Sequence, residues 1–334
     1  MADRLHLEAS IEQWPLKSPF RITGHTFVNS DVLVTSLSDG VHGGRGEAAG
    51  VYYHGDTPAK MLAAVEEVRA EIEAGVAREA LRSLLPAGGA RNALDCALWA
   101  LEAARSGRPV WQAAGVGPPG PLLTTYTVGA DSPKVMAQGA RRYVGAKAIK
   151  LKLLGDGLDA DRVAEVRAAR GDVWLAVDAN QGFTPQTLEA LTPALVAADV
   201  KLVEQPFPIG DEALLDGYAG PIEIAADESV QSLSDVEGLV GRFQVVNIKL
   251  DKCGGLTEGL LMAREARRLG LKVMVGNMTG TSLAMAPAFV LGQLCDIVDL
   301  DGPMLLSRDR TPGVRYEAGY IHCDEAVWGG AAPV

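Results

Sequence analysis

Cysteine is scarce and scattered: Cys96, Cys253, Cys295 and Cys323 stand far apart with no C-x-x-C pair. That excludes a disulfide framework and a thiolate zinc cage, and leaves the four as reduced packing residues. Basic excess is also missing. With 31 Lys plus Arg against 42 Asp plus Glu the net charge is -11, and no basic stripe is present to meet a phosphate backbone, so nucleic acid is excluded as a partner. No apolar run is long and charge-free enough to cross a bilayer, and the N-terminal stretch through Glu8 has no continuous apolar segment. No membrane association is expected, and a soluble, cytoplasmic protein is. Only five histidines occur (His6, His25, His42, His54, His322), and none closes a strand-like run. What is there is 48% hydrophobic and 22% charged over 334 residues, enough for a large core and best divided into two domains.

Up to about residue 55 the pattern is strand-like, with a hairpin signal at Ser38-Asp39-Gly40. From Thr57-Pro58 to about Ser106 the period becomes helical and Ala-rich, giving an α+β first domain over 1–115. Glycine and proline concentrate between Gly115 and Pro121 and mark a boundary. From 121 to 309, eight β-rich segments (124–128, 148–153, 173–177, 201–203, 222–225, 245–250, 272–275 and 297–300) alternate with helical ones. Their ends recur every 22 to 28 residues, as read from Thr127, Lys152, Asp178, Glu204, Asp227, Lys249, Asn277 and Asp299. One βα unit fits each interval, which predicts an α/β fold with a parallel (β/α) barrel of the TIM type; a doubly wound open sheet is the alternative. The segment 310–334 has little helical period and is expected to return to the first domain.

The informative feature is what closes the strands. Apolar runs end in Asp178, Glu204 and Asp227, and the carboxyl ends of barrel strands carry the active site, so these acids should converge. Two like charges about 4 Å apart repel by roughly 4 kcal/mol at an effective dielectric near 20, so three adjacent carboxylates call for a cation. Three single carboxylates with room for water suit Mg2+ better than zinc. A lone strand-end acid is more often a surface group or a helix cap; three at near-constant spacing are not so readily explained.

Lys150 and Lys152 share one face of a strand, and Lys249 ends Val245-Val246-Asn247-Ile248 in the same way. A barrel strand has no solvated edge to take them. Desolvation and mutual repulsion should draw such lysines towards neutrality, where they serve as general bases. Lys152 closes the second strand and Lys249 the sixth, which puts them opposite each other in a ring of eight. A substrate α-carbon between them could lose a proton to one and regain it from the other, inverting its configuration, while Lys150 stabilises the enediolate.

Together, Lys150-x-Lys152, Asp178-Ala-Asn180, Glu204-Gln205-Pro206, Asp227-Glu228-Ser229 and Asn247-Ile248-Lys249 resemble the enolase superfamily, muconate lactonizing enzyme subgroup, over essentially the whole chain. The resemblance implies an α+β capping domain over the barrel mouth, Mg2+ on Asp178, Glu204 and Asp227, and assembly as homo-oligomers of unspecified number. Asp299-Leu300-Asp301 is similar to the Asp-x-Asp signature of dipeptide epimerases, in which the two acids hold the substrate's α-ammonium group. Thr281-Ser282 stands where succinylbenzoate synthase relatives carry Glu-Ser, which argues against that activity.

The expectation is therefore a magnesium-dependent isomerase, a dipeptide epimerase acting on the C-terminal residue, with L-Ala-D/L-Glu the first substrate to try. In Ala-Glu epimerases a first-cap-loop arginine reads the acidic side chain; here Arg21 and His25 are the candidates. Thr127 is a candidate substrate contact, and Tyr52, Tyr53 and His54 are candidates for a second covering loop. N-acylamino-acid racemase, cycloisomerase and a catalytically inactive ligand-binding relative are the alternatives. Gly44-Arg45-Gly46 and the glycine at 50 have neither the spacing nor the following helix of a dinucleotide site.

Overall fold

The computed structural model describes residues 4–330; the ends of the N-terminal stretch and of the 310–334 segment lie outside it. Strand β1 (His6–Ile22) and strand β2 (His25–Ser38) form a long antiparallel hairpin, and β3 (Gly43–Ala48) pairs with β2. The hairpin turns through Thr23-Gly24, where Gly24 takes a left-handed φ of 73°, a conformation that glycine adopts at little cost. Helix Pro58–Glu67 begins where the Thr57 side chain accepts the Lys60 N–H and Pro58 fills the first turn.

Helix Gly89–Ser106, buried along most of its length, crosses β3 at very close range. A Cβ on Gly44 would stand 2.1 Å from the Ala97 carbonyl oxygen, and one on Gly46 2.0 Å from that of Ala93. Those glycines are there to let strand and helix backbones touch.

After the short β4 (Leu122–Leu123) come the eight parallel strands: β5 (Thr125–Val128), β6 (Ala148–Lys152), β7 (Trp174–Asp178), β8 (Val200–Glu204), β9 (Glu223–Ala226), β10 (Val245–Ile248), β11 (Lys272–Val275) and β12 (Ile297–Val298). They are hydrogen-bonded in sequence order. Helices on the outside bury their apolar faces against them, and Ala176, Leu202, Ala225, Val245 and Met274 fill the inside below the mouth.

The seam between β5 and β12 has no backbone ladder among the described residues; side chains stitch it. Thr124 Oγ1 accepts the Leu300 N–H at 2.9 Å, Asp301 Oδ2 accepts the Thr127 N–H at 2.6 Å, and Thr125 Oγ1 donates to Asp299. Beyond the barrel, β13 (Arg315–Glu317) and β14 (Tyr320–His322) pair antiparallel, and β14 also pairs with β4. The chain then reaches the cap, where Trp328 Nε1 donates to the Arg45 carbonyl at 2.8 Å. Cys96 and Cys253 are buried packing residues with free thiols. Among the described residues no helix is long and apolar enough to cross a membrane.

Candidate active site

Asp178 ends β7, Glu204 ends β8, and Asp227 follows β9 by one residue, so strand geometry delivers all three side chains to the barrel mouth. One oxygen of each lies within 4.8 Å of the others, and all three side chains are buried. Burial, and then the neighbouring Asp178 carboxylate, push Glu204 up to about 8. The trio is thus a concentration of negative charge that favours a cation.

Lysines flank the trio on both sides. Lys152 Nζ lies 2.5 Å from Asp178 Oδ2, and Lys249 Nζ lies 2.6 Å from Asp227 Oδ2. They stand on the second and sixth barrel positions, on opposite sides of the ring. Lys150 lies deeper, 3.2 Å from Glu204 Oε2 and ion-paired with Asp299. Burial works to lower the pKa of Lys249, but Asp227 and Glu204 outweigh it and hold the ammonium well above its ordinary value. Lys150 is raised too, by Asp299 and Glu204 against burial. For these two the expected drift towards neutrality is reversed, because carboxylates and not other ammonium groups are their nearest neighbours.

Several residues that sequence reasoning did not single out support this arrangement. Lys252, one helical turn beyond Lys249, is fully buried and donates to Asp227 Oδ1 at 2.6 Å and to the Asn247 carbonyl at 3.0 Å. Gln205 Oε1 accepts the N–H groups of Asp227 and Ser229, fixing the loop that presents Asp227. Asn180 and Gln205, next to the strand-end acids, both have positive φ, 42° and 37°. Such strained backbone right after a strand is a frequent mark of a functional site. Asn180 and Gln205 already stand inside the quoted motifs; Lys252 had only its i+3 spacing from Lys249 to betray it.

The β1–β2 hairpin covers the mouth. Its tip is fastened by Thr23 Oγ1, which donates to the carbonyls of Leu153 and Ala179 at 3.1 and 3.2 Å. A cavity of about 130 Å³ remains between hairpin and barrel, with Lys152, Lys249, Asp227, Glu228 and Asn180 on the barrel side. Phe20, Ile22, Phe27, Tyr52 and Tyr53 are on the cap side. The loop carrying the two tyrosines is tied to the barrel by Asp251, whose Oδ1 accepts the N–H groups of Ala49 and Gly50 at 2.8 and 3.1 Å.

Not every candidate residue reaches this cavity. Phe20 pairs with Phe27, Arg21 with Thr26 and Ile22 with His25, so strand alternation turns Phe20, Ile22, Phe27 and His25 to one face and Arg21 to the other. Arg21 is exposed and lies in a separate outer groove with Thr26 and Thr127. His25 stands at the hairpin tip, its ring 4.2 Å from that of Phe27 and 5.1 Å from that of Tyr52, outside the cavity lining. Asp299 and Asp301 are buried at the seam below. Lys150 and Thr125 hold Asp299; the Thr127 N–H holds Asp301, which burial pushes up to about 6.

Residues 6–115 match the N-terminal domain of mandelate racemase and muconate lactonizing enzyme, and residues 134–327 match the enolase C-terminal domain-like family. The chain belongs to the mandelate racemase/muconate lactonizing enzyme family. It is 39% identical over 313 residues to the L-Ala-D/L-Glu epimerase of Escherichia coli (strain K12), covering 93% of this chain and 97% of the relative. Among solved structures, an enolase family member from Agrobacterium tumefaciens with homology to dipeptide epimerases superposes with a TM-score of 0.94 at 38% identity. That match covers 97% of this chain and 100% of the other, and the relative holds sodium and L-Ala-L-Glu. The dipeptide epimerase of Enterococcus faecalis V583, complexed with Mg and L-Leu-L-Tyr, gives 0.89 at 30% identity, over 99% of this chain and 98% of that one. In this family's frame, two lysines on opposite sides of an acidic trio form an arrangement suited to moving a proton on and off carbon beside a carboxylate.

Proposed function

We propose that the protein is a magnesium-dependent dipeptide epimerase that inverts the α-carbon of the C-terminal residue. The observation that carries this reading is the pair Lys152 and Lys249 on opposite flanks of Asp178, Glu204 and Asp227. The site fits Mg2+: three buried single carboxylates give an all-oxygen donor set. Asn180 Oδ1 and Glu228 Oε2, buried beside it, have no hydrogen-bond partner among the described residues, a spare acceptor capacity suited to a hydrated cation. Held by Asp178, Glu204 and Asp227, Mg2+ would supply positive charge that offsets the charge growing on the substrate carboxylate.

In this scheme one of the two lysines, as the neutral amine, takes the α-proton, and the other, as the ammonium, delivers a proton to the opposite face of the planar carbon. One proton leaves and one arrives, so each turnover exchanges the protonation states of the two side chains. Lys150, fixed between Glu204 and Asp299, adds a third positive charge next to the oxygens of the enediolate. Asp299 and Asp301 are assigned the substrate's α-ammonium group. They lie four strands round the ring from Glu204, a separation that suits the two ends of a dipeptide.

The test is incubation with Mg2+ and a panel of L,L-dipeptides, with the L,D product quantified by proton NMR. Epimerisation that stops on chelation and returns on adding Mg2+ is expected. No product and no α-proton exchange with any dipeptide, with exchange of an N-acylamino acid instead, would move the assignment to N-acylamino-acid racemase.

A further inference from the structure

The cavity between hairpin and barrel has a wall chemistry that bears on which side chain it accepts. On the cap side Phe20, Ile22, Phe27 and Tyr52 line it, and Met278 adds a thioether from the loop after β11. Phe27 and Tyr52 stack edge to face with ring centroids 5.2 Å apart, and Phe20 faces Phe27 across the hairpin. The cations in the lining are Lys152 and Lys249, and each is already bound to a carboxylate of the trio. Arg21 points away on the opposite face, and His25 stacks at the tip outside the lining.

The lining also carries negative charge, from Asp31, Asp227 and Glu228. A carboxylate on the side chain of the inverted residue would lose water beside like charges and find no guanidinium in the lining to pair with. A side-chain ammonium would stand beside Lys152 and Lys249, the two cations already in the lining. Asp31 is engaged by Gln13 Nε2 at 2.9 Å, and Glu228 by Asn180 Nδ2 at 3.2 Å. An apolar side chain meets five apolar neighbours and brings no polar group of its own that needs a partner, the usual match for a hydrophobic specificity pocket.

We infer that the residue inverted at this site carries an uncharged aliphatic or aromatic side chain, received by Phe20, Ile22, Phe27, Tyr52 and Met278, and that Phe27 is the specificity-determining residue. The inference rests on the reading of the site as a dipeptide epimerase. It separates this chain from relatives whose substrate is L-Ala-D/L-Glu, since the wall facing the inverted residue lacks a free cation.

The test is kcat/KM for L-Ala-L-Leu, L-Ala-L-Phe, L-Ala-L-Glu and L-Ala-L-Lys with Mg2+. The Leu and Phe substrates should exceed both charged ones by roughly tenfold or more. In Phe27→Arg the ratio of Glu to Phe turnover should rise by about tenfold or more, and in Phe27→Ala the gap should narrow. Because each ratio is measured on one sample, the fraction of folded enzyme cancels. Wild-type preference for Glu or Lys would overturn the inference and leave the epimerase reading intact. Failure of all four dipeptides to react would remove that reading and the inference with it.

Discussion

Lys249 Nζ lies 2.6 Å from Asp227 Oδ2, while the other oxygen of the same carboxylate carries Lys252 at the same distance. One acid therefore pairs with two buried lysines. Burial works to raise the pKa of Asp227, but Lys249 and Lys252 outweigh it and hold the carboxyl far below its ordinary range. Asp227→Ala would strand both ammonium groups in the interior. Loss of one member of a buried ionic network costs about 3–5 kcal/mol, so thermal denaturation should show a large fall in Tm, and Mg2+ titration by calorimetry should show binding abolished. A variant with unchanged Tm and Mg2+ affinity would contradict the role given to this carboxylate.

Gly276 at the end of β11 leaves space for Lys249. A Cβ there would stand 2.6 Å from Asn247 Oδ1 and 2.9 Å from Lys249 Cε, closer than real contacts allow. Gly276→Ala should push the lysine off its line, and a misplacement of about 1 Å near the chemistry can cost about 10²-fold in rate. The expected outcome is a fall of that order in kcat with KM changed much less, read by steady-state kinetics. Wild-type kcat would show that the position of Lys249 is not critical.

Asp95 on helix Gly89–Ser106 is buried, and burial pushes its carboxyl up to about 7 in spite of hydrogen bonds from Thr257. The native state thus holds a proton that the unfolded chain releases near the ordinary value of 3.8. As pH rises through that window the unfolded state gains relative to the native one, and stability falls, levelling off above the folded value. Asp251, also raised to about 7 by burial, contributes in the same direction. Asp95→Asn keeps an acceptor for Thr257 and removes the charge, so the drop in Tm between about pH 5 and about pH 8 should shrink; each pKa unit abolished corresponds to about 1.4 kcal/mol. Parallel curves for wild type and variant would contradict this assignment.

Much of the site was legible in the sequence because its signals are local. An apolar run ending in Asp178, Glu204 or Asp227 reports both the strand and the end that carries chemistry, and the regular interval between such ends reports the barrel. The face of Arg21 was not legible. The β1–β2 pairing shifts register between Pro15 and Phe20, and such an irregularity resets the alternation on which any inward or outward assignment depends. Nor could the sequence reveal how the barrel closes. Thr124, Thr125, Asp299 and Asp301 stitch the seam between residues 174 to 176 positions apart, and no periodicity reports contacts at that distance. The direction of the lysine pKa shifts was missed for a related reason: it depends on which carboxylate each ammonium group touches.

The two-base scheme has Lys152 and Lys249 acting on opposite faces of one carbon. The measurement that tests it most directly is α-proton exchange in deuterium oxide, followed by NMR, with each epimer of one dipeptide presented separately to Lys152→Ala and Lys249→Ala. Neither variant should epimerise. Each should still exchange the α-proton of one epimer only, the L,L form in one variant and the L,D form in the other. Exchange of both epimers at similar rates by both variants would contradict the two-base account.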